Sequence, residues 1–394
     1  MIPGVTYCSS KWLPLVRGGS TPTLWCLGLW IASLLGCGVE RSISDGPTGT
    51  DAVGSAVSEW ERVDAGDWDA ERLADVVELA RRTRAVAFVL LEHGRVVVDA
   101  QWPVVDERFD RTERAAAEKY ILGATDDERV LFEVTSIEKG ILALLYVMVD
   151  TDDPMPLGAP IAELVEKRQL RGKDADLDGV TLEHVLAMTT GLDLRLERIA
   201  APGERWYYNP YMPQLLFELL ESRSGVDRGE LLADGLARPL DLQSTRWRDY
   251  ADEDYVGLQS TALDLARIGA LFADGGVHAG EVLVTPDAMQ RLVTPMTPLN
   301  PAMGLYWWLN RPGAPLQMEG GRLDRRPLPR APEDMVMSMA TNGHLMVSPE
   351  RGLVLVRLGG PVNGPADETG KELPTIDRLW AMILAAQGEV EVSR

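Results

Sequence analysis

The sequence predicts a mixed α/β (α+β) fold: one antiparallel sheet built from strands at both ends of the chain, flanked by helices, with a mainly helical lobe inserted. Three observations carry this. Two strand-like runs, 85–91 and 95–100, stand near the start, joined by the tight turn His93-Gly94. Three more, 335–340, 344–348 and 353–358, stand near the end. Between about 130 and 275 the apolar residues recur mainly at helical spacing. Strands at both termini with helices between them close most simply as one sheet with an insertion.

Taken in order, residues 70–82 place Leu73, Val76, Val77, Leu79 and Ala80 on one helical face. The first strand pair follows. Residues 103–131 are polar and acidic and read as a long excursion. A helix is expected from about 136, because the run 141–148 is apolar on every side. The C-terminal strands form a meander whose second turn is Pro349-Glu350-Arg351-Gly352, and a closing helix spans 374–386. No internal repeat is present.

The chain has 394 residues, of which 45% are hydrophobic and 25% charged, an ordinary globular balance. Its formal net charge of −21 argues against nucleic acid and against adhesion to anionic lipid through a basic surface. Before the domain, Lys11 and Arg17 precede an apolar stretch, 24–35, too short for a comfortable membrane span and suited to a signal-peptide core. It ends in Leu34-Leu35-Gly36-Cys37, which resembles a bacterial lipoprotein box. On that reading residues 1–36 are a signal peptide, Cys37 carries the lipid, 37–64 form a Gly/Ser/Thr/Asp-rich tether and 65–394 form the domain. An uncleaved N-terminal anchor is the alternative. Either way the domain is expected outside the cytoplasm, in the cell envelope. Removal of 1–36 would leave Cys37 as the sole cysteine, so no intrachain disulfide is expected.

Ser136-Ile137-Glu138-Lys139 is the sequence most suggestive of chemistry. Positions three apart share a helix face, so the Ser136 hydroxyl and Lys139 amine would meet. Serine is a poor nucleophile until a base takes its proton, and a lysine whose amine is kept neutral by burial can do so. The tetrad alone also fits an incidental pair on a helix surface. Glu138 is expected to point away from the Ser136–Lys139 face. The four histidines, His93, His184, His278 and His344, show no zinc-ligand spacing, and no phosphate-binding glycine loop is present, so no metal or cofactor is expected. His184 reads as a packing residue.

A second segment, Pro202-Gly203-Glu204-Arg205-Trp206-Tyr207-Tyr208-Asn209, lies downstream. With Ser136-x-x-Lys139 before it, the chain resembles the serine β-lactamase and penicillin-binding-protein superfamily, in its class C-like branch with esterases and 6-aminohexanoate-dimer hydrolases. The helix-and-turn segment 180–192, the Ser260-Thr261-x-x-Asp264-Leu265-Ala266 helix cap and the strand 304–308 extend the resemblance over about 65–390. It implies Ser136 as nucleophile, Lys139 as base and a tyrosine that shares proton transfer. Ungapped counting from Pro202 selects Tyr208; a Tyr-x-Asn reading selects Tyr207 with Asn209. The family's third element, Lys-Thr-Gly or Gly-x-x-Gly-Gln on a neighbouring strand, is replaced by Ala340-Thr341-Asn342-Gly343-His344. There the resemblance implies substrate contacts from Asn342, Gly343 and His344, besides Tyr207 and Asn209. It also implies oxyanion donors at the Ser136 N–H and near Gly343 or His344. The function implied is hydrolysis of an ester or amide through an acyl-enzyme. A D,D-peptidase or β-lactamase, or a catalytically silent envelope binding module, is the alternative.

Overall fold

A computed structural model describes residues 68–102, 107, 109–166, 169–170, 172–250, 255–313, 323–360 and 375–388. Residues 1–67, on which the expected signal core, Cys37 box and tether fall, lie outside the described residues. In chain order come α1 (Ala70–Arg82), β1 (Ala85–Glu92), β2 (Arg95–Gln101), α2 (Arg111–Tyr120), β3 (Ile121–Ala124), β4 (Val130–Glu133), a 3-10 turn (Thr135–Ile137) and α3 (Glu138–Asp152). Then follow α4 (Ile161–Leu164), the ribbon β5 (Gln169–Leu170) and β6 (Lys173–Asp174), α5 (Leu182–Leu186), α6 (Leu215–Ser224) and α7 (Arg228–Leu232). The rest are β7 (Arg246–Tyr250), β8 (Tyr255–Ser260), α8 (Ala262–Ala273), the ribbon β9 (Val277–His278) and β10 (Glu281–Val282), α9 (Pro286–Val293), β11 (Trp308–Leu309), β12 (Val336–Ala340), β13 (Gly343–Ser348), β14 (Leu353–Gly359) and α10 (Thr375–Ala386).

The main sheet has six strands in the order β11-β12-β13-β14-β1-β2, and every neighbouring pair is antiparallel. Strands of the two ends meet at β1 and β14, as the sequence predicts. The β1–β2 turn needs left-handed backbone at both His93 (φ 47°) and Gly94 (φ 73°), the geometry a two-residue hairpin requires. Strand alternation divides the core into two layers. Leu345, Val347, Val354 and Val356 face α3 and α8, whereas Met346, Leu353 and Leu355 face α1 and α10 with Trp380.

Helix α3 is buried around most of its circumference and runs through the first layer. Its apolar run of 141–147 has no polar stripe because no side of it meets water.

Two expectations need correction. The stretch 103–131 is not only an excursion, since it supplies α2 and β3 and leads into β4. The mainly helical reading of the inserted region is also incomplete: β3, β4, β8 and β7 form a second antiparallel sheet of four strands. These strands are short, and one lies in a polar stretch with no clean alternation, which hides them from a reading of periodicity.

The Ser260-Thr261 cap behaves as its sequence suggests. The Thr261 hydroxyl accepts from the Asp264 N–H at 3.2 Å, starting α8. Asp264 in turn accepts from the Ser244 N–H at 2.8 Å, tying the helix start to the connection before β7. His184 closes a capping box with Thr181 at the start of α5, a structural role.

Candidate active site

Strand β4 delivers the chain to Ser136 through Thr135, whose φ of 48° puts a β-branched residue in the left-handed region. Such a conformation costs about 1–3 kcal/mol and persists only where its surroundings hold it. Here the Thr135 hydroxyl donates to Asn342 Oδ1 at 3.2 Å. The Ser338 hydroxyl donates to the Ile137 carbonyl at 3.0 Å, and the Trp307 indole N–H to the Gly140 carbonyl at 3.1 Å. Gly343 leaves room for Ile137: a Cβ there would come within 2.9 Å of Ile137 Cδ1. The start of α3 is therefore fastened to the main sheet on several sides.

That fastening leaves Ser136 half-buried and Lys139 buried. Lys139 Nζ donates to Ser136 Oγ at 3.5 Å, the outer limit of a hydrogen bond. It also meets Glu138 Oε1 at 3.2 Å. Glu138 does not point away from the pair. It is 1% exposed and accepts from the Tyr255 hydroxyl as well. The physical reason is cost: a carboxylate within a buried helix must find donors or lose its charge. Burial pushes the Glu138 carboxyl up to about 7, against the pull of Lys139 and Tyr255. Burial also works against the Lys139 ammonium, but Tyr208, Glu138 and Tyr211 outweigh it and hold the amine above the ordinary lysine value. The expectation of a lysine kept neutral by burial thus meets an opposing charge, the Glu138 carboxylate at 3.2 Å. Behind Glu138, the Tyr250 hydroxyl donates to Glu133, whose carboxyl burial also raises.

The tyrosine loop is shaped by its own bonds. The Tyr207 N–H donates to the Met188 carbonyl at 3.0 Å. Asn209 donates to the Leu192 and Asp193 carbonyls at 3.2 and 2.9 Å, and its Oδ1 accepts from the Tyr211 N–H at 3.0 Å. Asn209 is thus an internal brace of the loop rather than the substrate contact expected of it. Tyr208 lies close enough to Lys139 to act on its charge. Its ring stacks on Trp308, with centroids 6.4 Å apart and planes at 20°. Trp206 meets the same indole edge-on at 5.9 Å. Tyr208 and Tyr211 both act on the Lys139 charge.

At the β12–β13 turn, Asn342 and Gly343 adjoin the start of α3, as described. His344 does not. Because Gly343 faces Ile137, alternation turns the His344 side chain to the opposite face of the sheet, where it pairs in register with Arg357. Burial, with Arg357 adding to it, drives its imidazole down to about 3, so it is neutral and faces away from Ser136. The expected substrate contact from His344 is corrected accordingly.

Sequence reasoning missed Tyr255, Tyr250, Glu133 and Tyr211. One signal was present: Glu138 is a lone acid ahead of an apolar run, and a buried acid demands donors from elsewhere.

The Beta-lactamase family model matches residues 69–360. No curated protein matches the sequence. Among solved structures, a protein assigned as a β-lactamase from Bacteroides dorei DSM 17855 superposes with a TM-score of 0.56 at 12% identity, covering 82% of this chain and 100% of that one. A protein assigned as a 6-aminohexanoate-dimer hydrolase from Bacillus anthracis gives 0.54 at 13% identity, over 84% and 87%. A penicillin-binding protein homologue from Caulobacter crescentus gives 0.52 at 16% identity, over 80% and 98%. At these identities the likeness speaks for the fold, and the six-stranded sheet with its inserted lobe agrees with it. The match over 69–360 takes in the Ser136 tetrad, the tyrosine loop and the β12–β13 turn, and this chain belongs to the Beta-lactamase family.

Proposed function

We propose that the protein is a serine hydrolase that cleaves an ester or amide through an acyl-enzyme. The observation that carries this reading is the approach of Lys139 Nζ to Ser136 Oγ at 3.5 Å. Ser136 Oγ bonds to the substrate carbonyl carbon and its proton passes to a neutral Lys139 amine. The carbonyl electron pair moves onto oxygen, which the Ser136 N–H and an N–H of the turn around Gly343 receive. The Lys139 ammonium passes its proton to Tyr208 as Tyr208 gives its own to the leaving oxygen or nitrogen, whose bond to carbon breaks while the carbonyl re-forms, so the amine is neutral again. Water then repeats the sequence and frees the acid.

Fluorophosphonate labelling tests the reading. Ser136 is expected to be modified in the wild type, with labelling abolished in Ser136→Ala and reduced at least ~100-fold in Lys139→Ala. A folded wild type that resists every fluorophosphonate and activated ester overturns it.

Within this chemistry a small neutral ester or amide is favoured over penicillin-type substrates. Lys-Thr-Gly is missing, and the neutral His344 faces away, so this strand offers no cation to an acidic substrate. Parallel assays with p-nitrophenyl esters, nitrocefin and release of D-alanine from a muropeptide separate an esterase from a β-lactamase and a D,D-peptidase. The Glu138–Lys139 ion pair favours one second reading, a silent binding module, in which Lys139→Ala leaves ligand binding unchanged. Attachment to the envelope through a lipid on Cys37 belongs to the same proposal. Palmitate incorporation that disappears in Cys37→Ser checks it.

A further inference from the structure

Beneath Ser136 the chain has built a second group of ionisable side chains. Glu138 sits on α3 beside Lys139, with Oε1 at 3.2 Å from the amine. Tyr255, on β8, donates to the same oxygen. Glu138 Oε2 is buried and has no hydrogen-bond partner among the described residues. Glu133 on β4 acts on the carboxyl as a like charge, and Glu133 is itself bonded to Tyr250 on β7 and near Arg248. Tyr208 and Tyr211, from the loop before α6, act on the charge of the amine. Lys139, with Arg248 beside Glu133 and Tyr250, thus stands among two carboxyls and a ring of phenols, and both Lys139 and Glu138 are buried.

A carboxylate so placed affects a lysine base in one direction. Attraction between opposite charges at this range favours the ammonium, and the ammonium cannot take a proton from serine. Without the carboxylate, burial favours the free amine and only Tyr208 and Tyr211 remain to oppose it. We propose that Glu138, fixed by Tyr255, is a positioning residue that clamps Lys139 in its charged form, so that the base becomes available only when this pair is neutralised or separated. The inference rests on the reading of Ser136 and Lys139 as nucleophile and base. It deepens that reading by naming the group that governs when the base works.

The consequence is a pH dependence. With the carboxylate present, the free amine becomes the dominant form only at alkaline pH. Below that, it exists as the minor form in which the proton sits on Glu138 and the pair carries no net charge. Glu138→Gln keeps the size and an acceptor for Tyr255 but removes the charge. The amine then becomes free at a lower pH. Tyr255→Phe removes a hydrogen bond that favours the ionised carboxyl, so it acts in the same direction and by less.

The experiment measures the rate of Ser136 labelling by a fluorophosphonate, and kcat/KM for a p-nitrophenyl ester, from pH 5 to pH 11. Glu138→Gln is expected to reach its upper plateau at least about one pH unit below the wild type, with Tyr255→Phe between them. Superimposable profiles overturn the clamp, since a residue that only packs would leave the titration in place. Folded Glu138→Gln that is inactive at every pH also overturns it, because the carboxyl would then be required rather than restraining. A readout independent of turnover keeps the two proposals apart. The chain has six lysines, so the Lys139 side chain can be followed by NMR in lysine-labelled protein. A downward shift of the Lys139 titration in Glu138→Gln without any Ser136 labelling sustains the clamp and sinks the hydrolase. Labelling with an unmoved titration does the reverse.

Discussion

Trp307 and Gly140 meet where α3 passes the end of the main sheet: the indole N–H donates to the Gly140 carbonyl at 3.1 Å, and only a residue without a Cβ allows the approach. A Cβ at 140 would lie 2.7 Å from Ser338 Oγ, 2.9 Å from Ser338 Cβ and 3.0 Å from Trp307 Cε2. Alanine normally favours a helix over glycine by about 1 kcal/mol. Here overpacking, typically about 1–3 kcal/mol, works against it and displaces the turn that carries Ser136. Gly140→Ala is expected to lower the urea midpoint and to slow Ser136 labelling at least ~10-fold, contrary to its helix propensity.

The tyrosine that serves proton transfer is open to a direct comparison. Tyr208 acts on the Lys139 charge and stacks on Trp308. Tyr208→Phe is expected to lower kcat about 100-fold or more, the usual scale of a lost general acid–base group, with Tm nearly unchanged. Tyr207→Phe should stay within a few-fold of the wild type. The opposite ranking in steady-state assays would reassign the role.

Asn310 ties the chain after β11 to the segment 323–335. Its Nδ2 donates to the Leu328 and Pro332 carbonyls, both at 2.9 Å, and its Oδ1 accepts from the Leu328 N–H at 3.0 Å. Asn310→Leu fills the space but strands the Leu328 N–H and leaves the Leu328 and Pro332 carbonyls only their longer bonds from the Ala331 and Met335 N–H groups, at 3.3 and 3.4 Å. A loss of about 2 kcal/mol in urea unfolding is expected, since an unmade buried bond costs about 1–3 kcal/mol. A change below about 0.5 kcal/mol would show that the segment finds other partners.

His344 makes the fold acid-sensitive in a calculable way. Its folded value of about 3 lies below the ordinary 6.5, because burial opposes the charged ring. As pH falls below about 6.5 the unfolded chain takes up a proton that the native state refuses. The native advantage is therefore complete above about pH 6.5 and declines toward pH 3, by about 1.4 kcal/mol per unit. Between pH 7 and pH 5 the wild type should lose about 2 kcal/mol more than His344→Gln in urea titrations. Parallel losses in the two proteins would count against a buried neutral ring.

The sheet was legible because its strands are apolar and long enough for alternation or continuous burial to show, as in β1, β13 and β14. The pairing of Ser136 with Lys139 followed from helix geometry alone. The short β7 did not show because its polar run has no clean alternation, and β8 because its pairing with the distant β4, Phe132 opposite Ser260, leaves no local mark. Glu138 was misjudged for a similar reason. Its direction on the helix axis said nothing about Tyr255, a donor more than a hundred positions away that turns a surface-looking acid into a buried one. Asn209 and His344 were judged from motif position. One is decided by three loop hydrogen bonds and the other by strand parity.

The pairing of β1 with β14 sets a condition on how the chain is made. Phe88 lies opposite Arg357, so a central, almost wholly apolar strand completes its ladder only with a partner synthesised near the end. Until then the hairpin of β1 and β2 presents an open, sticky edge, and contacts so distant in sequence form slowly. Truncation within β14 should therefore not yield a smaller working protein but an aggregation-prone one, which makes an intact C-terminal third a condition for soluble expression.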